Sequence, residues 1–387
     1  MVDQLLSQRL EGIGEYYFSK KLRDIEALKT QGHKVLNLGI GSPDIKPPAA
    51  VESALIEALK ESNSHQYQSY KGIPELRSAF ADWYQTYFKV ELSPETEILP
   101  LIGSKEGIMH ICMSLLNPGD QVLVPNPGYP TYEAASKLAG GEVIHYSLTE
   151  KNNYSPDFKE LESTDLSKVK IMWVNYPHMP TGADGNESLF NQLKEFSRKH
   201  GIVIVNDNPY GFILTDKHES LLKNRLSTDL VLELNSLSKS HNMAGWRVGV
   251  LSGNEELIQA VLTFKSNMDS GKFKPVMKAA IAALNVPSDW YDQQNKTYLE
   301  RRKLVFKVVE QLECQANPDQ VGMFVWAKIP DHQSQSEAFA DHLLTTYRIF
   351  VPPGTVFGTE GHQHIRFSLC SDIPVWKEVI NRINNLK

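Results

Sequence analysis

A lysine surrounded by small hydroxyl side chains follows one of the apolar segments of the chain. Lys239 lies in the sequence NSLSKSHNMAGWRVG, and a lysine in such a place is most often a solvated surface residue. Nearby hydroxyl and guanidinium groups, however, make a site for an oxyanion or a phosphate; they belong to Ser236, Ser238, Ser240 and Arg247. Burial and the arginine would lower the lysine pKa and favour a neutral amine that attacks carbonyl compounds.

A second group of polar residues ends the apolar segment VIVNDNPY. Asp207 stands directly after the apolar residues, where an aspartate before a turn proline is common. The alternative is a carboxylate directed at a ring nitrogen of a bound ligand. Tyr210, three residues later, would then place its phenol on the same ligand.

Two further segments have the character of ligand-binding turns. GSKEG opens a predicted helix with Gly103, Ser104 and Lys105, and backbone N–H groups at a helix start bind phosphate. The alternative is a serine that simply caps the helix. Tyr129 in NPGYPTY lies on a rigid turn that suits stacking on a flat ring, although a lone tyrosine is more often part of the core.

Short apolar runs that alternate with amphipathic stretches must position these residues. The runs predict buried strands at residues 121–125, 169–174, 202–205 and 230–234, and the stretch 188–200 predicts a helix. This alternation is typical of βαβ units, which form a mostly parallel sheet covered by helices. Ligands of such sheets bind at the carboxyl ends of the strands, where the polar turns above are found.

The pattern changes after about residue 285, where a long charged helix, short strands and a final helix predict a smaller α+β unit. The first forty residues predict a helical arm and a short strand at 35–38 that pack on the same unit. The predicted organisation is therefore an arm with part of the small domain at 1–45, a large domain at 46–285 and a small domain at 286–387.

Length and composition limit the class of protein. With 387 residues and 41% hydrophobic residues, the chain has material for two cores. A net charge of −6 gives no reason to expect nucleic acid or an anionic membrane as partner. Three cysteines are too few for a disulfide framework and lack metal-ligand spacing. Because neither a signal segment nor a membrane span is evident, the cytoplasm is the expected compartment.

Taken together, the motifs resemble the class I/II aminotransferases, a family of fold type I pyridoxal-phosphate enzymes. The resemblance implies a mostly parallel, seven-stranded sheet between helices, with a smaller α+β domain built from both chain ends. It makes Lys239 the Schiff-base lysine, Asp207 the partner of the pyridine nitrogen and Tyr210 the donor to the ring hydroxyl. The other cofactor-binding residues that it implies are Gly103, Ser104, Lys105, Tyr129, Asn175, Ser236 and Arg247.

Substrate and subunit contacts are implied in the same way. Arg366 in IRFSL and Gly41 in LGIGSPD resemble the groups that bind the substrate α-carboxylate. Tyr67 in HQYQSYKGIPELR resembles a tyrosine that reaches the phosphate of the neighbouring subunit, so we expect a two-fold homodimer with shared active sites. The arm carries three aromatic residues close to Ile13, namely Tyr16, Tyr17 and Phe18. They either belong to the hydrophobic core or cover the partner subunit or the substrate entrance.

One position departs from the family pattern. The family usually has an asparagine directly before its Pro-Thr-Gly, where it meets the cofactor ring oxygen and the substrate carboxylate. In NYPHMPTG that position is Met179, and a thioether cannot donate a hydrogen bond. Either Tyr210 alone holds the ring oxygen, or His178 or a water replaces the missing amide.

The expected reaction moves an amino group between an L-amino acid and a 2-oxo acid by ping-pong chemistry. The stretch 267–280, NMDSGKFKPVMKAA, contains no arginine where dicarboxylate-specific relatives place one, so a strict aspartate enzyme is not expected. The resemblance suggests glutamate and 2-oxoglutarate as the second pair. Two alternatives stay open: a carbon–sulfur β-lyase on the same fold, and a sensor module of a transcription regulator, which would need an additional DNA-binding domain.

Overall fold

The computed structural model describes residues 6–386 of the chain. Within this part the strands are β1 (Leu36–Asn37), β2 (Ile98–Leu101), β3 (Gln121–Asn126), β4 (Glu142–Ser147), β5 (Val169–Val174), β6 (Val203–Asp207), β7 (Val231–Ser236), β8 (Gly249–Gly253), β9 (Phe324–Lys328), β10 (Ile349–Phe350) and β11 (His364–Ser368). The helices are α1 (Tyr17–Thr30), α2 (Ala49–Leu59), α3 (Pro74–Phe88), α4 (Ser104–Leu115), α5 (Pro130–Leu138), α6 (Phe158–Glu162), α7 (Glu187–His200), α8 (Leu237–Ser240), α9 (Glu255–Ser266), α10 (Lys274–Leu284), α11 (Asp289–Gln311), α12 (Ser336–Tyr347) and α13 (Ile373–Leu386).

Seven strands form one large sheet in the order β2-β8-β7-β6-β5-β3-β4. Only β8 runs antiparallel to its neighbours in this sheet. Residues of β5 alternate between the two faces: Met172 and Val174 pack in one hydrophobic cluster, and Ile171 and Trp173 pack in another. Both faces are therefore covered, which explains why these strands are continuous apolar runs in the sequence.

The two chain ends meet in the smaller sheets. Leu36 of β1 pairs with Ile349 of β10 in parallel, and β11 pairs with β9 in antiparallel orientation. A separate hydrophobic cluster joins Phe18 and Leu38 to residues of the C-terminal region such as Trp376. The predicted α/β fold, with a mostly parallel seven-stranded sheet and a smaller α+β unit from both ends, is confirmed. The residue boundaries of the predicted domains stay a prediction, and Met1–Leu5 and Lys387 lie outside the described residues.

Two strands extend beyond their predicted apolar runs, and this extension places polar residues at the ligand edge of the sheet. β6 continues to Asp207 and β7 continues to Ser236, while Asn175 follows β5 directly. Because these strands are parallel neighbours, their carboxyl ends lie side by side. Between residues 6 and 386, none of the helices combines the length and apolar character needed to cross a membrane.

Candidate active site

A cavity of about 590 Å³ lies at the carboxyl ends of the parallel strands. All of the predicted site residues except Gly103 and Tyr67 line this cavity. The lining residues among them are Gly41, Ser104, Lys105, Tyr129, Asn175, Asp207, Tyr210, Ser236, Lys239, Arg247 and Arg366. Gly103 lies directly beside it as the residue before α4. Residues from both ends of the chain and from the ends of several strands of the large sheet thus meet around one space.

Lys239 lies in α8, a single turn that Ser236 caps by accepting a hydrogen bond from the backbone of Ser238. Its Nζ donates to the carbonyl of Gly41. Desolvation, with smaller contributions from Arg366 and Arg247, lowers the pKa of Lys239. The neutral amine is therefore favoured, as expected for a lysine that reacts with a carbonyl compound.

Asp207 presents one unpaired oxygen to the cavity. Its Oδ2 accepts a hydrogen bond from the Tyr132 hydroxyl at 2.9 Å, whereas Oδ1 is buried and has no hydrogen-bond partner within residues 6–386. Burial raises the pKa of Asp207 to about 7. Because an unpaired buried carboxylate oxygen is costly, this atom suits a ligand that supplies an N–H group, above all a charged one.

Asn175 binds other parts of the protein. Its Nδ2 donates to the carbonyl of Asp207, and its Oδ1 accepts from the backbone N–H of Met179 at 2.8 Å. The side chain therefore ties the end of β6 to the loop that carries Met179. It also lines the cavity, and these two bonds give it a part in holding the shape of the site, while its contact with a cofactor stays a prediction.

Three tyrosines form another wall of the cavity. Burial raises the pKa of Tyr210 above the usual value for a phenol, so Tyr210 stays protonated and can donate a hydrogen bond at neutral pH. Tyr129 precedes α5 and packs edge-to-face on Tyr132, with ring centres 5.5 Å apart. The Tyr132 ring stacks in turn on Trp173, with centres 5.0 Å apart. These contacts fix the rings around Asp207.

The start of α4 forms a site suited to phosphate. Gly103 has a φ of 88°, and any side chain at this position would collide with the guanidinium of Arg247. Nη1 of Arg247 lies 3.3 Å from Oγ of Ser238, which also receives a 2.9 Å hydrogen bond from Ser236. Helix N–H groups, hydroxyls and an arginine thus converge beside Lys239, and this combination binds phosphate in proteins.

Arg366 lies in β11 and is buried in aromatic surroundings. The guanidinium carbon is 3.9 Å from the ring centre of Phe324, 4.5 Å from that of Phe357 and 5.4 Å from that of Phe18. Desolvation lowers its pKa to about 10, so it stays charged at neutral pH. A buried cation of this kind is suited to bind a carboxylate.

Residues of the N-terminal arm reach the cavity of their own chain. Tyr16 and Phe18 line it together with Ser19 and Leu22, and Nζ of Lys105 lies 4.4 Å from the ring centre of Tyr16. Of the two alternatives for the arm, these contacts match a cover over the cavity, with Phe18 also joining a hydrophobic cluster.

Tyr67 lies outside the cavity of its own chain with 90% of its surface exposed, in a separate surface depression that also contains Ser270 and Phe273. Its expected contact with the phosphate of a neighbouring subunit stays a prediction. One of the alternatives for the position of Met179 does not hold. His178 cannot replace the missing asparagine amide, because its ring is buried away from the cavity and its Nδ1 is bonded to Oγ1 of Thr181 at 2.7 Å. The loop turns His178 towards the side chain of Thr181 and Met179 towards the cavity.

Several residues of the site escaped the sequence analysis. Tyr132 is the most important, because it binds Asp207; its signal was the second tyrosine of NPGYPTY, on the same helical turn as Tyr129. Phe324 and Phe357 could not be found from the sequence, because aromatic residues in apolar segments are usually core residues. The position of Phe324 beside Arg366 depends on the pairing of β9 with β11, and Phe357 comes from the 3-10 turn Gly354–Phe357.

Comparison with known proteins agrees with this arrangement. The family model "Aminotransferase class I and II" matches residues 33–383. The chain is 38% identical to an LL-diaminopimelate aminotransferase of Dehalococcoides mccartyi, over 99% of both chains, and 37% identical to one of Aquifex aeolicus, over 98% of this chain and 99% of the relative. Among solved structures, substrate-bound BacF from Bacillus subtilis superposes with a TM-score of 0.94 at 33% identity, covering 98% of this chain and 97% of that one.

Proposed function

The chain belongs to the class I and II aminotransferases, which use pyridoxal phosphate, and we propose that its amino donor binds with the α-carboxylate on Arg366 and the α-carbon beside Lys239. It is an aminotransferase of amino-acid metabolism. The family matches do not favour the carbon–sulfur lyase alternative. The observation that carries the proposal is the position of Lys239 and Arg366 on the wall of one cavity.

The cavity has the groups that pyridoxal phosphate needs. Oδ1 of Asp207, which lacks a partner among the described residues, would accept a hydrogen bond from the protonated pyridine nitrogen, and the protonated Tyr210 would donate to the ring hydroxyl. Tyr129 would lie against the ring. The phosphate would bind at the start of α4, where the groups come from Gly103, Ser104, Lys105, Ser236 and Arg247. Lys239 would hold the aldehyde carbon.

Each residue then has a distinct task in amino transfer. The bound cofactor supplies an aldehyde that combines with amines and a ring that withdraws electrons from the attached carbon. Arg366 binds the substrate carboxylate and, with Gly41, fixes the direction of the α-carbon. Nζ of Lys239, whose pKa is lowered by burial, accepts the α-proton and returns it to a neighbouring carbon as a general acid. The arm residues Tyr16 and Phe18 exclude water from this space.

LL-diaminopimelate is the donor that we propose first, because curated relatives with this name cover nearly the full chain. A second class of donor is favoured by a different observation: the rings of Phe18, Phe324 and Phe357 line the cavity, and such a wall suits a large apolar or aromatic side chain. The two classes differ in charge at the far end of the side chain, so they can be distinguished directly.

We further propose a homodimer with shared active sites in the cytoplasm. Tyr67 and Phe273 expose 90% and 45% of their surface and lie in the same depression. Further apolar side chains are exposed in the segments that flank Tyr67 and in the segment before Phe273; these are Ile56, Leu59, Tyr70 and Met268. A second copy would cover these side chains and would bring Tyr67 to its partner's cofactor. The cytoplasm is supported by three cysteines that are all free.

The test of the donor is a half-reaction measured by absorbance. The cofactor-loaded protein is mixed with single amino acids, without an oxo acid, and conversion of the cofactor from its aldehyde to its amine form is followed. LL-diaminopimelate should convert it fastest, or aromatic amino acids should if the second class is right. Conversion by none of the amino acids, or release of pyruvate and ammonia from cystathionine at a comparable rate, would contradict the proposal.

A further inference from the structure

The thioether of Met179 lies against the guanidinium that is proposed to bind the substrate carboxylate. Sδ of Met179 is 3.1 Å from Nη1 of Arg366, while Nη2 of the same arginine donates to the carbonyl of Gly39 at 2.7 Å. Nε of Arg366 is buried without a hydrogen-bond partner in the described chain. The orientation of the guanidinium is therefore set by one carbonyl, one sulfur and the aromatic rings around it.

Met179 is itself held in place. It is buried, with 5% of its surface exposed, and its backbone N–H donates to Asn175 Oδ1 at 2.8 Å. Asn175 is bonded in turn to the carbonyl of Asp207. A continuous series of contacts thus runs from the backbone carbonyl of Asp207 at the end of β6 to the guanidinium in β11, and Met179 is the last member before Arg366.

From these contacts, and on the basis of the carboxylate role proposed for Arg366, we propose that Met179 is a positioning residue for that arginine. Its sulfur accepts a hydrogen bond and keeps the guanidinium turned toward the cavity, but it has no N–H group of its own to offer a carboxylate. Of the Met179 and Arg366 side chains, only that of Arg366 can therefore donate hydrogen bonds to the α-carboxylate. Nη1 carries a second hydrogen that the bond to sulfur does not use, and this hydrogen remains available to a carboxylate.

Two substitutions separate the acceptor from the volume of the side chain. Met179→Leu retains an apolar side chain of similar size and removes the acceptor. Met179→Asn places an amide oxygen at the same number of bonds from the backbone as Sδ and restores an acceptor. A matched control is Met277→Leu, because Met277 is fully buried in another hydrophobic cluster and does not line the cavity.

The measurements are KM and kcat of the cofactor-loaded protein for its amino donor, and the dissociation constant of 3-phenylpropanoate, a carboxylate without an amino group. Met179→Leu should raise KM and the dissociation constant by about 3- to 10-fold, the loss expected for one modest hydrogen bond, with kcat within about twofold. Met179→Asn should bind the carboxylate at least as tightly as the wild type, and Met277→Leu should change neither constant.

Repeating Met179→Leu in the Arg366→Lys background tests whether the sulfur acts through the guanidinium. The effect should disappear there, since the lysine lacks the planar group that sulfur orients. An unchanged dissociation constant in Met179→Leu, weaker binding in Met179→Asn, or the same loss in the Arg366→Lys background would overturn the proposal. If Arg366→Ala itself binds the carboxylate normally, the proposed role of Arg366 has failed instead.

Discussion

The hydroxyl of Tyr132 donates a hydrogen bond to Oδ2 of Asp207 at 2.9 Å, while Oδ1 of that carboxylate lies buried and has no partner in the part of the chain that the structure describes. One oxygen is thus fixed by the protein and the other is left for a ligand. The stacking of Tyr132 on Trp173 makes this arrangement rigid, so a ring nitrogen would meet a carboxylate already in position.

Asp207→Asn should alter how stability depends on pH in the cofactor-free protein. Burial raises the pKa of Asp207 from 3.8 to about 7, so the folded state binds the proton more tightly than the unfolded state. Binding of this proton stabilises the folded wild-type protein fully below pH ~4, and that stabilisation is lost as the pH rises towards about 7. We expect the stability gained by Asp207→Asn to grow over this range to on the order of 2–4 kcal/mol.

The measurement is the difference in unfolding free energy or melting temperature between the two cofactor-free proteins from pH 4 to pH 8. Asparagine can still accept the Tyr132 hydrogen bond, and it has no charge to bury. Parallel curves for wild type and variant would mean that the carboxyl titrates normally, contrary to the environment described above.

Asp207→Ala should bind the cofactor and lose most of its chemistry. The phosphate site and Lys239 remain, so the protein should still be yellow. Exchange of the substrate α-proton with solvent should slow by orders of magnitude, since several kcal/mol of activation free energy depend on the charge facing the ring nitrogen. NMR in deuterated water measures this exchange. A near-normal rate would show that Asp207 is not needed for the cofactor ring to withdraw electrons.

Arg366→Ala should weaken substrate binding strongly. A charged hydrogen-bonded contact in a desolvated site is lost, so we expect KM for the amino donor to rise roughly 100-fold, which corresponds to ~3 kcal/mol. Steady-state kinetics with the donor found in the half-reaction panel give the value. A KM close to that of the wild type would show that another group binds the carboxylate.

Most of the fold and the centre of the site follow from local sequence signals. Lys239, Asp207 and Arg247 stand at turns after apolar runs, and β6 and β7 need only two further residues each to carry Asp207 and Ser236. By contrast, the aromatic surroundings of Arg366 come from α1, β9 and the 3-10 turn Gly354–Phe357, and no local pattern specifies how these distant segments meet. The turning of His178 away from the cavity likewise has no signal in spacing alone.

Shared active sites predict complementation between inactive subunits. Lys239→Ala and Tyr67→Ala are each expected to lose activity, and mixing them under subunit exchange should restore it. A mixed dimer would contain one intact site, with Lys239 from one chain and Tyr67 from the other. Activity after exchange should approach a quarter of the wild-type value, since about half of the dimers are mixed and each has one site.

The matching control is each variant mixed with itself, which should stay inactive. Full activity of Tyr67→Ala, or mixed dimers that never regain activity although exchange is demonstrated, would contradict a role for Tyr67 across the interface. A monomer in solution at working concentrations would contradict the shared site as a whole.

Covalent attachment of the cofactor to Lys239 is the central claim, and borohydride reduction followed by peptide mass spectrometry tests it most directly. The wild type should carry the reduced cofactor on the peptide that contains Lys239, and Lys239→Ala should carry none. Lys194→Ala is the control, because Lys194 is another buried lysine with a lowered pKa that does not line the cavity; this variant should be labelled on Lys239 like the wild type. Attachment in Lys239→Ala at the wild-type yield, or on another lysine of the wild type, would contradict the account.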